Sequence, residues 1–250
     1  MLTQETGRGT TPEGTTGEQQ ASTWVRGMFG RIAPRYDLLN HLLSFNIDRY
    51  WRARTVARVA SVFSKPGARI LDLCCGTGDL AFALQARSGS LLYASDFCHP
   101  MLVEARRKAD QRSAATALFE ADALQLPLAD GSFDLLTMAF GFRNLANYQQ
   151  GLRELLRILK PGGTLAILEF STPPNPAMRG LYGFYSRAIL PRIGGMISGS
   201  KEAYSYLPES VRKFPGADRL AEEMRAVGFT RVRFERMTAG IVALHLGEKV

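Results

Sequence analysis

Three carboxylates stand where a nucleotide could use them: Asp72, Asp96 and Asp122. Asp72 precedes the turn Gly76-Thr77-Gly78, Asp96 follows Gly78 by 18 residues, and Asp122 is followed by Ala123. Glycines at the turn let a ligand approach the backbone, because no Cβ intervenes. The loose pattern Gly76-x-Gly78-x-x-Ala81 would admit a dinucleotide. Asp72 and Asp79 argue against it, since both would repel a pyrophosphate at the helix N-terminus. A ligand carrying an ammonium and a sulfonium would instead be attracted, and S-adenosylmethionine (SAM) carries both. Asp96 can accept from both ribose hydroxyls. Asp122 can accept from the adenine amino group, with the Ala123 backbone beside it. Asp79 taken alone could equally be an N-cap.

The elements that must hold these acids can be read around them. Ile70, Leu71 and Leu73 form a short apolar run, as expected of a buried parallel strand, and Asp79 opens the helical pattern DLAFALQAR. Residues 91–95 and 118–121 read as the next two strands, so Asp72, Asp96 and Asp122 should lie at successive strand tips on the ligand edge of a doubly wound sheet. Residues 133–140 and 164–170 give a fourth and a fifth strand, separated by a helix over 147–159 that Lys160-Pro161-Gly162-Gly163 should stop. After a helix over 220–227, strands at 230–237 and 241–246 are joined by Thr238-Ala239-Gly240. So short a connection must be a hairpin. The expected fold is therefore α/β and Rossmann-like: a mostly parallel seven-stranded sheet with an antiparallel last strand, as in class I SAM-dependent methyltransferases.

Two segments depart from the alternation. Residues 22–65 hold both tryptophans and seven arginines against only Asp37 and Asp48, and predict a helical cap, interrupted at Pro34, with Asp48 capping its last helix. Residues 171–215 are far longer than a loop requires and predict an inserted substrate cover. Arg187, Arg192, Arg212 and Lys213 lie there, suited to a membrane surface. Residues 1–21 read as a disordered tail, leaving 22–250 as a single domain. The chain of 250 residues has a net charge of +8 and a pI of about 9.7, which permits nucleic acid or an anionic membrane as partner. Cys74, Cys75 and Cys98 have no metal spacing and no disulfide framework, so a cytoplasmic setting is expected. No apolar run approaches a membrane span.

Several segments resemble the ubiquinone/menaquinone C-methyltransferase family (UbiE/MenG type). They are YDLLNHLLSFNIDRYWR from Tyr36, LDLCCGTGDL from Leu71, FGFRNL from Phe140, LKPGG from Leu159 and LEFS from Leu168. AYSYLPESVRKFP from Ala203 and TAGIVALHLG from Thr238 complete the set. The resemblance runs from about Met28 to the C-terminus. It implies methyl transfer from SAM to a ring carbon of a prenylated quinol, demethylmenaquinol or its benzoquinol counterpart. It also implies SAM contacts at Thr77, Asp96 and the Asp122-Ala123 pair. Ala139 falls where relatives can carry Ser, and His41 where they can carry Asp. For a quinol acceptor, Arg143 would supply fixed positive charge, Asn144 would orient an oxygen or water, and Tyr206 or His245 would handle a proton. The implied partners are the quinol, a transient membrane surface and at most a second copy in a homodimer; no nucleic acid is expected. Methylation of another phenol or a nucleic-acid base, non-catalytic SAM binding and NAD-linked chemistry remain as alternatives.

Overall fold

The computed structural model describes residues 9–89, 91–189, 192 and 201–250, without the side chains of 201–204. Its strands are β1 (Ile70–Leu73), β2 (Leu92–Asp96), β3 (Thr116–Glu120), β4 (Phe133–Ala139), β5 (Leu159–Phe170), β6 (Thr230–Met237) and β7 (Val242–Glu248). They form one sheet in the order β3-β2-β1-β4-β5-β7-β6. The first five pair in parallel, and β7 lies antiparallel between β5 and β6. The expected hairpin is thus present. The strand order reverses beside β1, which opens a crevice at the carboxyl ends of β1 and β4.

Helices cover both faces. On one side α6 (Tyr148–Ile158) and α9 (Ala217–Ala226) press Leu152, Leu155, Leu220 and Met224 onto Phe133, Leu136 and Ile167. On the other, α3 (Ile47–Arg58) and α4 (Asp79–Ser88) bring Trp51, Leu80 and Leu84 onto Ile70, Leu135 and Leu244. All four β1 residues are buried, as a central strand covered on both faces requires. Gly78 turns the chain into α4 at φ 89°, and a Cβ there would stand 2.6 Å from the Phe82 ring, so no other residue fits this corner.

Three expectations are corrected. The tail is not free over its second half. From Gly9 the chain is docked: the Thr10 amide donates to Leu145 O at 2.8 Å, the Thr10 side chain is buried, and α1 (Glu18–Ile32) starts before residue 22. Residues 1–8 lie outside the described residues. The LKPGG stretch does not precede β5 but belongs to it, as an irregularity with Gly162 at φ 73° whose amide bonds to Lys249 O at 2.8 Å. Asp48 does not cap α3. The N-cap position falls on Asn46, and Asp48 is turned inward, accepting from Ser44 Oγ at 2.7 Å and His41 Nδ1 at 2.8 Å. Arg52 completes that pairing.

Pro34 separates α1 from α2 (Tyr36–Leu43), with a single 3-10 turn between. Val25, Met28 and Leu39 pack on Cys98, on Met101 of α5 (His99–Arg112) and on Tyr206 of α8 (Lys201–Lys213). Of the expected cover, 190–200 apart from Arg192 lies outside the described residues; α7 (Pro176–Phe184) and α8 flank it.

Candidate functional site

Two of the three strand-tip acids, Asp96 and Asp122, converge on one recess. Asp96, Asp122, Ala123 and Ala139 line it with Gly76, Tyr36 and Asn144. Asp96 is held by two backbone amides, Gly76 N to Oδ2 at 2.8 Å and Cys98 N to Oδ1 at 2.9 Å. Burial pushes its carboxyl up to about 6, against the pull of those amides. Asp122 accepts from Leu124 N at 2.9 Å. Two carboxylates fixed by main-chain donors still offer lone pairs to hydroxyl and amino groups. This donor set fits the ribose and adenine of SAM.

Asp72 lies apart from that group. It lines a smaller neighbouring recess with Arg52, Thr77 and Asp79, reached past Tyr36, Cys74, Gly76 and Ala139. Its side chain accepts from Thr137 Oγ1 at 2.6 Å, and burial pushes its pKa up to about 7. The Thr77 hydroxyl is spent on the cap: it bonds to Asp37, and Lys108 Nζ lies 3.2 Å from it. The same ammonium reaches Asp37 Oδ2 at 2.7 Å and Asp79 Oδ1 at 2.5 Å. Asp79 is therefore neither an N-cap nor an open carboxylate.

A second and larger space adjoins the first. It is a mostly apolar chamber of about 450 Å³, bounded by α1 to α3, α7, α8 and the loop after β4. It shares Phe29, Tyr36 and Phe140 with the acid-lined recess. Arg143 lines it, though not as a free or a surface charge. Its Nη1 donates to Glu169 Oε1 at 2.9 Å and to Phe140 O, while the Glu169 side chain is 1% exposed. Glu169 also accepts from the amides of Arg143 and Phe170 at 3.1 and 2.8 Å. The Glu169 charge raises the Arg143 pKa against the opposing effect of burial. The Arg143 Nε is buried with no hydrogen-bond partner among the described residues.

Asn144 and Tyr206 form the partition between the two spaces. Tyr206 Oη donates to Asn144 Oδ1 at 2.9 Å and accepts from Thr10 Oγ1 at 2.8 Å. Asn144 lines the acid recess and Tyr206 the chamber. Burial raises the Tyr206 pKa. His245 is elsewhere: it is paired opposite Ile167 inside the sheet, with Nε2 on Ala217 O at 2.8 Å, and burial lowers its pKa to about 4. It has no part in proton handling at the chamber.

Sequence patterning missed four residues here. Tyr36 lines all three spaces. Arg52 lines two of them. Glu169 carried a legible signal, a carboxylate inside the apolar run AILEF, which must be paired if buried. Lys108 carried another, a lysine on the buried face of α5 with Met101 and Ala105.

A sheet of this order, a glycine turn after β1 and acids at three strand tips define a SAM-dependent methyltransferase. A crystal structure of a SAM-dependent methyltransferase from Aquifex aeolicus has the same fold, with a TM-score of 0.56 at 20% identity, covering 78% of this chain and 89% of that one. Residues 15–249 match the ubiE/COQ5 methyltransferase family, and the chain belongs to it. A demethylmenaquinone methyltransferase of Thermus thermophilus is 51% identical over 223 residues, 89% of this chain and all of that protein. One of Deinococcus radiodurans is 46% identical over 233 residues, 93% of this chain and 95% of that protein.

Proposed function

We propose that this methyltransferase transfers the methyl group of SAM to the unsubstituted ring carbon of a prenylated naphthoquinol, converting demethylmenaquinol to menaquinol. The observation that carries the reading is the apolar chamber beside the strand-tip acids, with one buried cation in its wall. That the two relatives are demethylmenaquinone methyltransferases supports the naphthoquinol over other phenols.

Bound SAM supplies an electrophilic methyl on a sulfonium. Asp96, Asp122 and the Ala123 backbone hold its nucleoside. The chain's remaining task is to align the ring and favour its phenolate, which places electron density on the neighbouring carbon. Arg143, kept charged by Glu169, lowers the energy of that phenolate. The Tyr206–Asn144 pair fixes the partition so that the ring carbon faces the cofactor side. The new carbon–methyl bond would form as the sulfur–methyl bond breaks, leaving S-adenosylhomocysteine, and the ring proton would then pass to water as the ring regains its aromaticity. An oxidised quinone ring is electrophilic and is not a substrate. An anaerobic assay comparing reduced and oxidised forms of demethylated naphthoquinone and benzoquinone tests this. Methylation of the reduced naphthoquinone should be fastest; equal rates on the oxidised form would overturn the mechanism, and faster turnover of the benzoquinol would reassign the acceptor.

The prenyl tail places the acceptor in a bilayer, and no described helix is long and apolar enough to cross one. The chamber mouth is rimmed by side chains that line it and yet face outward: Phe45 (73% exposed), Leu181 (62%) and Phe184 (61%), with Ile47 and Ile189. This exposed apolar rim supports a reading in which the protein, expected in the cytoplasm, docks peripherally on a membrane at this mouth. Lys213 does not serve that contact, because it is bound to Glu209 at 2.6 Å and to Thr11 O at 2.8 Å. Exposed Arg187 and Arg192 beside α7 remain suited to it. Binding to anionic vesicles should weaken as salt rises.

A further inference from the structure

We infer that Arg52, on the cap helix α3, binds the methionyl carboxylate of SAM, with Asp72 opposite it taking the ammonium. The inference rests on the cofactor class and not on the identity of the acceptor. The recess between α3 and the glycine turn continues from the acid-lined recess through Cys74, Gly76 and Ala139. The Gly76 amide that fixes Asp96 belongs to the same turn. The amino-acid end of a nucleoside seated on Asp96 and Asp122 has this space to enter.

The charges in the recess are not all spent in the same way. Asp79 is matched by Lys108 at 2.5 Å, and Asp48 by His41 and Arg52. Asp72 is 1% exposed and, among the described residues, has no cation within ion-pair distance; Thr137 alone donates to it from a side chain. Arg52 touches Asp48 through Nη1 only, and its Nη2 stands 4.0 Å from Asp79. A fork with one arm hydrogen-bonded and the other in only a long ion pair, and a buried carboxylate lacking its cation, in one recess, match an α-amino acid with its two opposite charges. A phosphate would meet Asp72 and Asp79, and a sugar would leave both charges unanswered. Because α3 also walls the acceptor chamber through Ile47, Asp48 and Trp51, the amino-acid end of the cofactor would seat a wall of the second substrate's site.

Calorimetry with three ligands tests this: S-adenosylhomocysteine, its decarboxylated analogue, and 5′-methylthioadenosine, which lacks the whole amino acid. The unaltered protein should bind S-adenosylhomocysteine about 10- to 100-fold tighter than the decarboxylated analogue, as expected for a charge-assisted contact. Arg52→Met should erase that preference while leaving 5′-methylthioadenosine unchanged, and Arg52→Lys should restore part of it. Asp72→Asn should weaken both amine-bearing ligands and spare 5′-methylthioadenosine. Absence of a preference in the unaltered protein would overturn the inference whatever the variants do. Equal weakening of all three ligands by Arg52→Met would assign Arg52 to the scaffold of α3 instead.

Discussion

The acid-lined recess and the apolar chamber share a boundary but are built by opposite means. The recess is made at the ends of parallel strands, from Asp96 and Asp122 held by backbone amides. Its positions are set by sheet register and change little with the side chains around them. The chamber is made by α1 to α3, α7 and α8, none of which is in the sheet, and its wall is fixed by side-chain contacts across long separations. On the proposed assignment, cofactor recognition would be carried by backbone geometry, and acceptor recognition by packing. Changes to one space should move one substrate and not the other.

The largest effect should come where the chamber depends on a buried charge. Glu169→Ala leaves Arg143 buried without its counter-charge and should cost about 3–5 kcal/mol of folding stability in urea titration. A much smaller loss would mean that the chamber wall is wet and the contrast with the recess overstated. The double variant Arg143→Met, Glu169→Leu should recover folding but not turnover, losing about 2.7–4 kcal/mol of transition-state stabilisation with SAM affinity unchanged. Near-normal turnover would make the pair purely structural.

On the recess side, Asp96→Ala should weaken SAM by roughly 1.5–3 kcal/mol and leave quinol KM unaffected. A change confined to quinol KM would reverse the division between the two spaces. The pH dependence sharpens the same point. Asp72 has its pKa raised by burial to about 7 from 3.8, with Thr137, Arg52, the Ala81 backbone and Asp96 as the groups around it. The folded protein therefore holds a proton there that the unfolded chain has released. Asp72 accordingly lowers stability as pH rises from about 4 to 7, and contributes most below that window. Binding of a ligand with an ammonium needs the ionised form, so SAM affinity should rise between pH 6 and 8 and level off. Asp72→Asn should flatten the profile; a profile unaltered by that change would place its origin elsewhere.

The smallest effect should be Trp51→Phe. It removes the Nε1 bond of 2.8 Å to Thr238 that pins α3 to the β6–β7 turn, costing about 0.5–1.5 kcal/mol. It should raise the KM for long-tailed quinols with no change for SAM.

This division also governs what could be read from the sequence. Asp72, Asp96 and Asp122 were legible because apolar runs, a glycine turn and short spacings place strand tips without reference to the rest of the chain. Arg143 was legible as a charge, but its Glu169 partner lies on the neighbouring strand, 26 residues on, and only β4–β5 register brings them together. Thr77 was legible as a turn residue, while its commitment to Asp37 and Lys108 required knowing that α2 and α5 meet at the glycine turn. Residues 9–21 looked disordered because their composition is polar. What orders them is a shape supplied by Leu145, Tyr206 and Lys213, which local composition does not encode.

The docked segment at Thr10 has a consequence for the order in which the molecule is made. Thr10 meets Tyr206 across 196 positions, and Lys213 meets Thr11 across 202. Strands β1 to β5, with Asp72, Asp96 and Asp122 on them or just past their ends, are all synthesised before either contact can exist. On the ribosome the nascent chain can assemble its nucleotide-binding half while α1 still waits for α8 to emerge. Closing so long a loop carries most of its entropic cost before any reward. The contacts that close the acceptor chamber at Thr10 and Thr11 can therefore form only after the strands beside the acid-lined recess have been made.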